Sequence, residues 1–420
     1  MVMAGVLTAT CRHAMLLGMM ITPVLSRSQK SKKREFVMGE LKAQRMTGAE
    51  GAQSLGLSER QVRRLLAAYR LEGADAVTHG NRGRIPDNAV SPEVRRTIIE
   101  LAQTTYADFN HTHFTEKLAE KHDIHVSRSS VRRILLEAGI TSPRRHRRPK
   151  HRSRRERRPC AGMLLQLDGS HHDWLQDRGP DLCLLGAIDD ATSEVVAALF
   201  RDEEDGHGYM LLLRSIVQSH GIPLAVYSDQ HGIFVVSSHQ AETLDEQLAG
   251  RRDPTQVGRV LEDLDIELIV ARSPQAKGRV ERMWDTFQDR LVNEMRLANV
   301  CTMAEANTML AAYLPIHNAK FARPAKETTR SYRPVPARLN LDVIFSFQYD
   351  RTVSHDNTVR LGKDIVQIEP NNKRSSYAKA KTRFCVGLDG SIRVYYQGQC
   401  IANKPCTDPN IVLRAQKQRR

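Results

Sequence analysis

Apolar positions recur at helical spacing through residues 35–75 and 91–142, and from 161 to 318 short apolar runs alternate with amphipathic stretches. Beyond 334 the runs are short and alternating. Such changes of period predict different architectures along one chain. In the first stretch, Thr47 and Glu50 have capping-box spacing. Gly56 breaks the pattern, and Ser58 can cap a helix whose apolar face is Val62, Leu65, Leu66 and Tyr69. Arg60, Arg63, Arg64 and Arg70 ride on the same helix. Two short helices about a glycine turn, the second rich in arginine, predict a DNA-binding helix-turn-helix.

A second helical set follows. Ser91–Thr104 opens with Pro92 in its first turn, and Phe114–Lys121 and Ser127–Ala138 form a pair closed by Gly139. Arg128, Arg132 and Arg133 line its last helix, so a second DNA contact is expected there. His111, His113, His122 and His125 have no cysteine near them and are expected to be surface histidines rather than zinc ligands.

After Cys160 the period changes. Strands are predicted at Met163–Leu167, Leu182–Ile188, Glu194–Phe200, Leu224–Ser228 and Ile266–Ala271. Helices are predicted at Gly206–His220, Gln275–Arg296 and Thr302–Tyr313. This mixture reads as an α/β layered core. From Pro334, runs such as Val343–Phe347, Ile365–Ile368 and Ile392–Tyr396, with Asp389-Gly390 between two of them, predict a small β-barrel.

The expected organisation is multidomain. It comprises a disordered or over-extended N-terminus (1–34), a first all-α helix-turn-helix domain (35–78), a basic linker (79–90) and a second such domain (91–142). An Arg-rich linker (143–160), the core (161–318, with an insertion near 235–256), the barrel (334–400) and a basic tail (401–420) complete it. Met15–Leu25 is apolar but too short to span a bilayer, and no small-residue cleavage site follows it.

Charge sharpens this picture. Residues 1–160 carry 31 basic and 15 acidic side chains, 161–300 carry 12 and 24, and 301–420 carry 20 and 9. Basic flanks attract a polyanion such as nucleic acid, and an acidic middle repels it unless cations intervene. Residues 143–158 hold ten of the basic residues and cannot build a core, so phosphate contact is expected there. The seven cysteines include no C-x-x-C pair, which predicts a reduced cytoplasmic protein without disulfides.

Three carboxylates stand at telling places. Asp168 is predicted to end the first core strand and Asp229 the fourth, and Glu281 falls in the first turns of the long helix. Strand ends project side chains at one sheet edge, where α/β active sites gather. Acids converging there require cations. Mg²⁺ takes one or two carboxylates per ion, and two ions about 3.5–4 Å apart can clamp an in-line phosphoryl displacement. Asp189 and Asp190 are expected to make a turn, and Trp174 and Trp284 to serve the core or an interface. No G-x-x-x-x-G-K-[ST] loop is present, so no ATP is called for.

The contexts QLDGS (166–170), YSDQHG (227–232) and above all SPQAKGRVER (273–282) carry a resemblance. Over about residues 35–400 the chain resembles the bacterial insertion-sequence transposases that share the retroviral-integrase catalytic core, most of all the ISNCY group. The resemblance implies a ribonuclease H-like core, a catalytic and metal-binding triad of Asp168, Asp229 and Glu281, and a requirement for Mg²⁺ or Mn²⁺, two ions per site. It also implies strand cleavage and 3′-OH strand transfer on DNA, terminal inverted repeats and target DNA as partners, and at least a dimer. Lys277 and Arg279, near a helix N-terminus, are expected to touch phosphate. The spacing departs from the family's usual pattern, since 51 residues separate Asp229 from Glu281. Glu262, Asp265 and Glu267 lie nearer but lack the Lys-Gly-Arg-Val context. A DNA-binding regulator with an inert core and a structure-selective nuclease are the rival classes.

Overall fold

The computed structural model describes residues 29–77, 89–143, 155–236, 244–249, 252–271, 278–370 and 374–406. Residues 1–28 of the expected N-terminal extension, most of both linkers, part of the 235–256 insertion, Lys277 and most of the basic tail lie outside the described residues, whereas residues 29–34, expected to be disordered or over-extended, open a helix. The chain divides into two compact units, Met1–Val90 and Ser91–Arg420.

The first unit holds α1 (Gln29–Lys42), α2 (Gly48–Leu55) and α3 (Glu59–Glu72). Both predicted N-caps form capping boxes, Thr47 with Glu50 and Ser58 with Gln61. Gly56 ends α2 at φ 63°, a left-handed position that suits a residue without Cβ. Val37, Met38, Leu41, Ala52, Val62 and Val77 form the core of this unit. Arg60, Arg63, Arg64 and Arg70 are exposed on α3.

The second unit opens with α4 (Pro92–Gln103), α5 (His111–His122) and α6 (Arg128–Glu137), capped by Ser91, Asn110 and Ser127. Arg128, Arg132 and Arg133 are exposed on α6. His111 and His113 correct the surface expectation: both are buried, because α5 is covered by a helix far along the chain.

The core follows: β1 (Leu165–His172), β2 (Leu182–Asp189), β3 (Val195–Arg201), α7 (Gly206–Ser219) and β4 (Ala225–Ser228). Then come α8 (Leu244–Ala249), α9 (Gln256–Asp263), β5 (Glu267–Val270), α10 (Gly278–Leu297) and α11 (Met303–Phe321). The strands form one mixed sheet in the order β3-β2-β1-β4-β5. The first three are antiparallel, while β1, β4 and β5 run parallel. Alternation along β1 sends Leu165 and Leu167 towards α7 and α9, and Gln166, Asp168 and Ser170 towards α10.

β1 is longer than predicted. Its polar second half, Asp168–His172, stays paired with β2, so Asp168 lies mid-strand opposite Gly186. Pairing with β4 is recorded only for Leu165 and Gln166. Asp168 therefore lies where β1 outlasts its parallel neighbour rather than where it ends.

The last segment adds α12 (Leu341–Ile344), β6 (Ser346–Thr352), β7 (Thr358–Leu361), β8 (Asp364–Gln367), β9 (Lys381–Gly387), β10 (Ile392–Tyr396) and β11 (Gln399–Lys404). The predicted barrel does not close. Among the described residues, β11-β10-β9-β6 form one sheet and β7-β8 a separate hairpin that touches both β6 and β11 without joining their ladders. This segment shares a continuous apolar cluster with α7 and α9. Polar bonds join the same surfaces. Arg259 on α9 donates to the Ile344 and Ser346 carbonyls, and Gln256 exchanges two bonds with the Gln348 backbone.

The described cysteines are all free, and no helix among the described residues is long and apolar enough to cross a membrane.

Candidate active site

The relation between β1 and α10 defines the site. Three hydrogen bonds link them in step. The Val280 amide donates to Gln166 Oε1 (3.3 Å), Trp284 Nε1 to Asp168 Oδ2 (2.9 Å), and Gln288 Nε2 to Ser170 Oγ (3.1 Å). The helix contributes every fourth residue and the strand every second. Four helical residues advance ~6 Å and two strand residues ~6.6 Å, so the two repeats stay matched over this length. Gly186 on β2 supports the match, because a Cβ there would lie 2.7 Å from the Trp284 ring.

This ladder holds Asp168 and fixes how α10 lies along β1. Asp168 is half-buried and held by Trp284. Asp229 follows β4 directly; its Oδ1 accepts from the His231 amide at 3.1 Å, which turns the chain out of the strand. The parallel register pairs Gln166 with Tyr227, so two further residues bring Asp168 level with Asp229. Glu281 is exposed on α10, three residues before Trp284 and therefore within one turn of the residue that grips Asp168.

Glu262, Asp265 and Glu267 lie elsewhere. Glu267 pairs with Ala225, at the opposite end of β4 from Asp229. Four strand residues amount to ~13 Å. Asp265 is engaged there by Arg333 at 2.7 Å.

Beneath the start of α10 lies a buried acid. Asp190 is fully buried and accepts from Gln166 Nε2 (2.8 Å), Arg279 Nη1 (2.7 Å), the Arg158 amide (2.9 Å) and the Arg155 guanidinium. A buried carboxylate persists only when paired and hydrogen-bonded in this way. Asp189 caps the neighbouring turn through the Ala191 and Thr192 amides, as its sequence position suggested. Arg279 departs from expectation. Its side chain is 10% exposed and turned inward on Asp190, anchoring the first turn of α10. Burial pulls its pKa down, against the pull of Asp190.

Sequence reasoning missed Gln166 and Gln288, and it left Trp284 to the core. Trp284 is indeed buried, but its indole N–H reaches the site. The one readable signal was Gln166, a polar residue inside the run MLLQLD.

A groove of about 1340 Å³ runs from α6 to α10, lined among others by Arg128, Arg132, His172, Asp285 and Gln288. Across it, α5 is tied to α10. Arg290 makes a two-pronged pair with Glu116 (2.6 and 3.1 Å), Glu294 accepts from His113 (2.7 Å) and Lys117 (2.6 Å), and Asn110 bonds Asp289.

Known proteins resemble the chain at several levels. Residues 38–96 match the family model described as winged helix-turn helix. Solved structures include a simian T-cell lymphotropic virus intasome (14% identity, 74% of this chain, 100% of that chain, TM-score 0.32). They also include the HTLV-2 integrase catalytic core domain in complex with magnesium (14%, 36% of this chain, 82% of that chain, TM-score 0.27). Likeness that distant adds nothing to the sheet order itself. Two sequence relatives are much nearer. The Sinorhizobium fredii protein y4bF, named as a candidate transposase, is 37% identical over 81% of this chain and 76% of its own length. The Streptococcus pneumoniae transposase for insertion sequence IS1202 is 31% identical over 86% of this chain and 83% of its own. Similarity of that extent means that the chain belongs to the insertion-sequence transposases.

Proposed function

We propose that the protein binds the terminal inverted repeats of its own element, cleaves one phosphodiester at each end, and joins the freed 3′-OH to target DNA. In this reading the core is ribonuclease H-like and integrase-type. The observation that supports it is the β1–α10 ladder, which bonds Trp284, one helical turn from Glu281, to Asp168, together with the strand register that sets Asp229 level with Asp168.

The donor set is all carboxylate oxygen, half-buried or exposed, which fits a hard divalent cation such as Mg²⁺ or Mn²⁺. Asp168, Asp229 and Glu281 would hold two such ions. When bound, these supply charge neutralisation and activation of the attacking oxygen. Trp284 positions Asp168, and Arg279 with Asp190 fixes the helix that carries Glu281. Arg60, Arg63 and Arg64 on α3, and Arg128, Arg132 and Arg133 on α6, are solvent-facing cations that would meet DNA phosphates or base edges. Water attacks the terminal phosphodiester and the bond to the 3′ oxygen breaks, leaving a 3′-OH and a 5′-phosphate. That hydroxyl then attacks a target phosphodiester and displaces its 3′ oxygen. Phosphodiester count is conserved in the second step, so neither ATP nor a covalent enzyme–DNA adduct is needed. Pairing two element ends calls for at least a dimer.

The test is strand cleavage of a labelled duplex bearing the element's terminal repeat, with Mg²⁺ or EDTA. Wild type should nick the repeat boundary only with metal, and Glu281→Gln should lose the nick by at least about 100-fold, the scale of losing a group needed only in the transition state. Repeat binding without cleavage in either Mg²⁺ or Mn²⁺ would leave a DNA-binding protein with an inert core. Cleavage that survives Glu281→Gln would reject the triad.

A further inference from the structure

On the opposite face of β1 from Asp168, three potential metal ligands converge. His171 on β1 pairs in register with Cys183 on β2, so both side chains leave the same face of the sheet. Glu204, in the segment between β3 and α7, folds over them. The ligand atoms of His171, Cys183 and Glu204 all lie within 4.8 Å of one another, and His171 Nε2 is 3.9 Å from Glu204 Oε2.

The Glu204 carboxylate is built into place. A Cβ on Gly169 would lie 2.6 Å from it, so only glycine lets the carboxylate press against β1. The buried Tyr209 hydroxyl donates to Glu204 Oε1 at 2.6 Å, while the other oxygen, Oε2, is the one nearer His171. A hydrogen bond of this kind orients a ligating carboxylate. Cys183 is fully buried, whereas the His171 side chain is 66% exposed and able to swing.

We infer that His171, Cys183 and Glu204 form a site for a thiophilic divalent cation of the Zn²⁺ class, with water as the fourth ligand. Thiolate, imidazole and one carboxylate make a borderline-soft set, unlike the all-oxygen set across the sheet. With bonds of ~2.0–2.3 Å, a tetrahedral ion draws its donors to roughly 3.3–3.8 Å of one another, so closure asks for about an ångström of movement, which His171 can supply. Burial pushes the Cys183 thiol up to about 12, so binding at neutral pH releases its proton. The ion would tie the end of β1, directly after Asp168, to β2 and to the approach to α7. This inference is independent of the carboxylate triad.

The probe is Co²⁺ added to the full chain, read by its near-ultraviolet thiolate-to-cobalt band. One equivalent should give the band, Zn²⁺ should abolish it, and Cys183→Ala should lack it. His171→Ala, a change at an exposed side chain, should weaken Co²⁺ binding at least about tenfold, and Tyr209→Phe by about 10–100-fold, the usual effect of losing a group that orients a ligand. Glu281→Gln should leave the band unchanged, because a carboxylate site gives no thiolate transition. Absence of the band in wild type would overturn the inference. So would a band of undiminished affinity in His171→Ala, which would assign it to another cysteine and decides the matter even if Cys183→Ala fails to fold.

Discussion

The two helical sets are held in different ways. The set α1–α3 closes around its own small core within its own compact unit. The set α4–α6 belongs to the same compact unit as the sheet, and α5 is fastened to α10 by Glu116, Asn110, His113 and Lys117. Both present exposed arginines on their last helix. One is thus self-contained. The other is joined to the helix that carries Glu281. Both sets bury local apolar residues, Ile98, Phe114, Leu118 and Ile134 among them in the second; the difference is that the second adds ion pairs to a helix more than a hundred residues away.

The sharpest way to break this contrast is to remove one partner of the buried junction. Glu294→Ala removes the carboxylate that His113 and Lys117 both bond, leaving Lys117 with Glu120 alone, and loss of a hydrogen bond to a charged group costs about 1.5–3 kcal/mol. The loss should fall on the second unit alone, and hydrogen exchange resolved along the chain checks this.

Acid should act in the same place. Burial tends to raise the Glu294 pKa, but the bonds from His113 and Lys117 overcome it and hold the carboxyl below the ordinary value. A depressed carboxyl stabilises the fold above its unfolded pKa, about 4.3, and that contribution is lost as pH falls through the lower folded value. Unfolding monitored from pH 6 downward should therefore show the α5–α10 junction weakening below about pH 4.3, and Glu294→Gln should flatten the dependence.

A smaller effect runs the other way. Ser58→Ala removes an N-cap from α3 and should cost the first unit about 1 kcal/mol, with exchange in α4–α6 unchanged. Smallest in stability is Arg63→Ala, an exposed change worth within about 0.5 kcal/mol. Its effect should appear in DNA binding, as a salt-dependence slope shallower by about one if Arg63 meets a phosphate. An unchanged slope and affinity would remove Arg63 from the interface.

The self-contained set was the legible one. Its caps, turn glycine and apolar face all lie within a few residues of one another, and each formed where local spacing placed it. The joined set hid its main feature. His111 and His113 look like surface residues on a polar helix, because the Glu294 and Arg290 that surround α5 arrive only with α10. Asp168 was misplaced for a related reason. The apolar run stops there, whereas β2 keeps pairing through the polar residues that follow. Arg279 reads as a phosphate ligand until a buried Asp190 claims it. The apolar alternation beyond residue 334 forecast most of the strands, although its first run, Val343–Phe347, opens in α12 and reaches β6 only at Ser346, and it carried no signal for closure, which depends on ladder bonds between β6, β11 and the hairpin.

The stepwise bonding of α10 to β1 also bears on how such a chain tolerates change. The height of α10, and with it Glu281, along β1 is set by the bonds to Gln166, Asp168 and Ser170. Residues can be gained or lost in the connection leading into the helix without moving the acid, because the helix must seat on the same three rungs or slip by a whole turn. Of the 51 residues between Asp229 and Glu281, those of α9 and β5 are bound into the core, so a change of length there is cheap only outside these two elements.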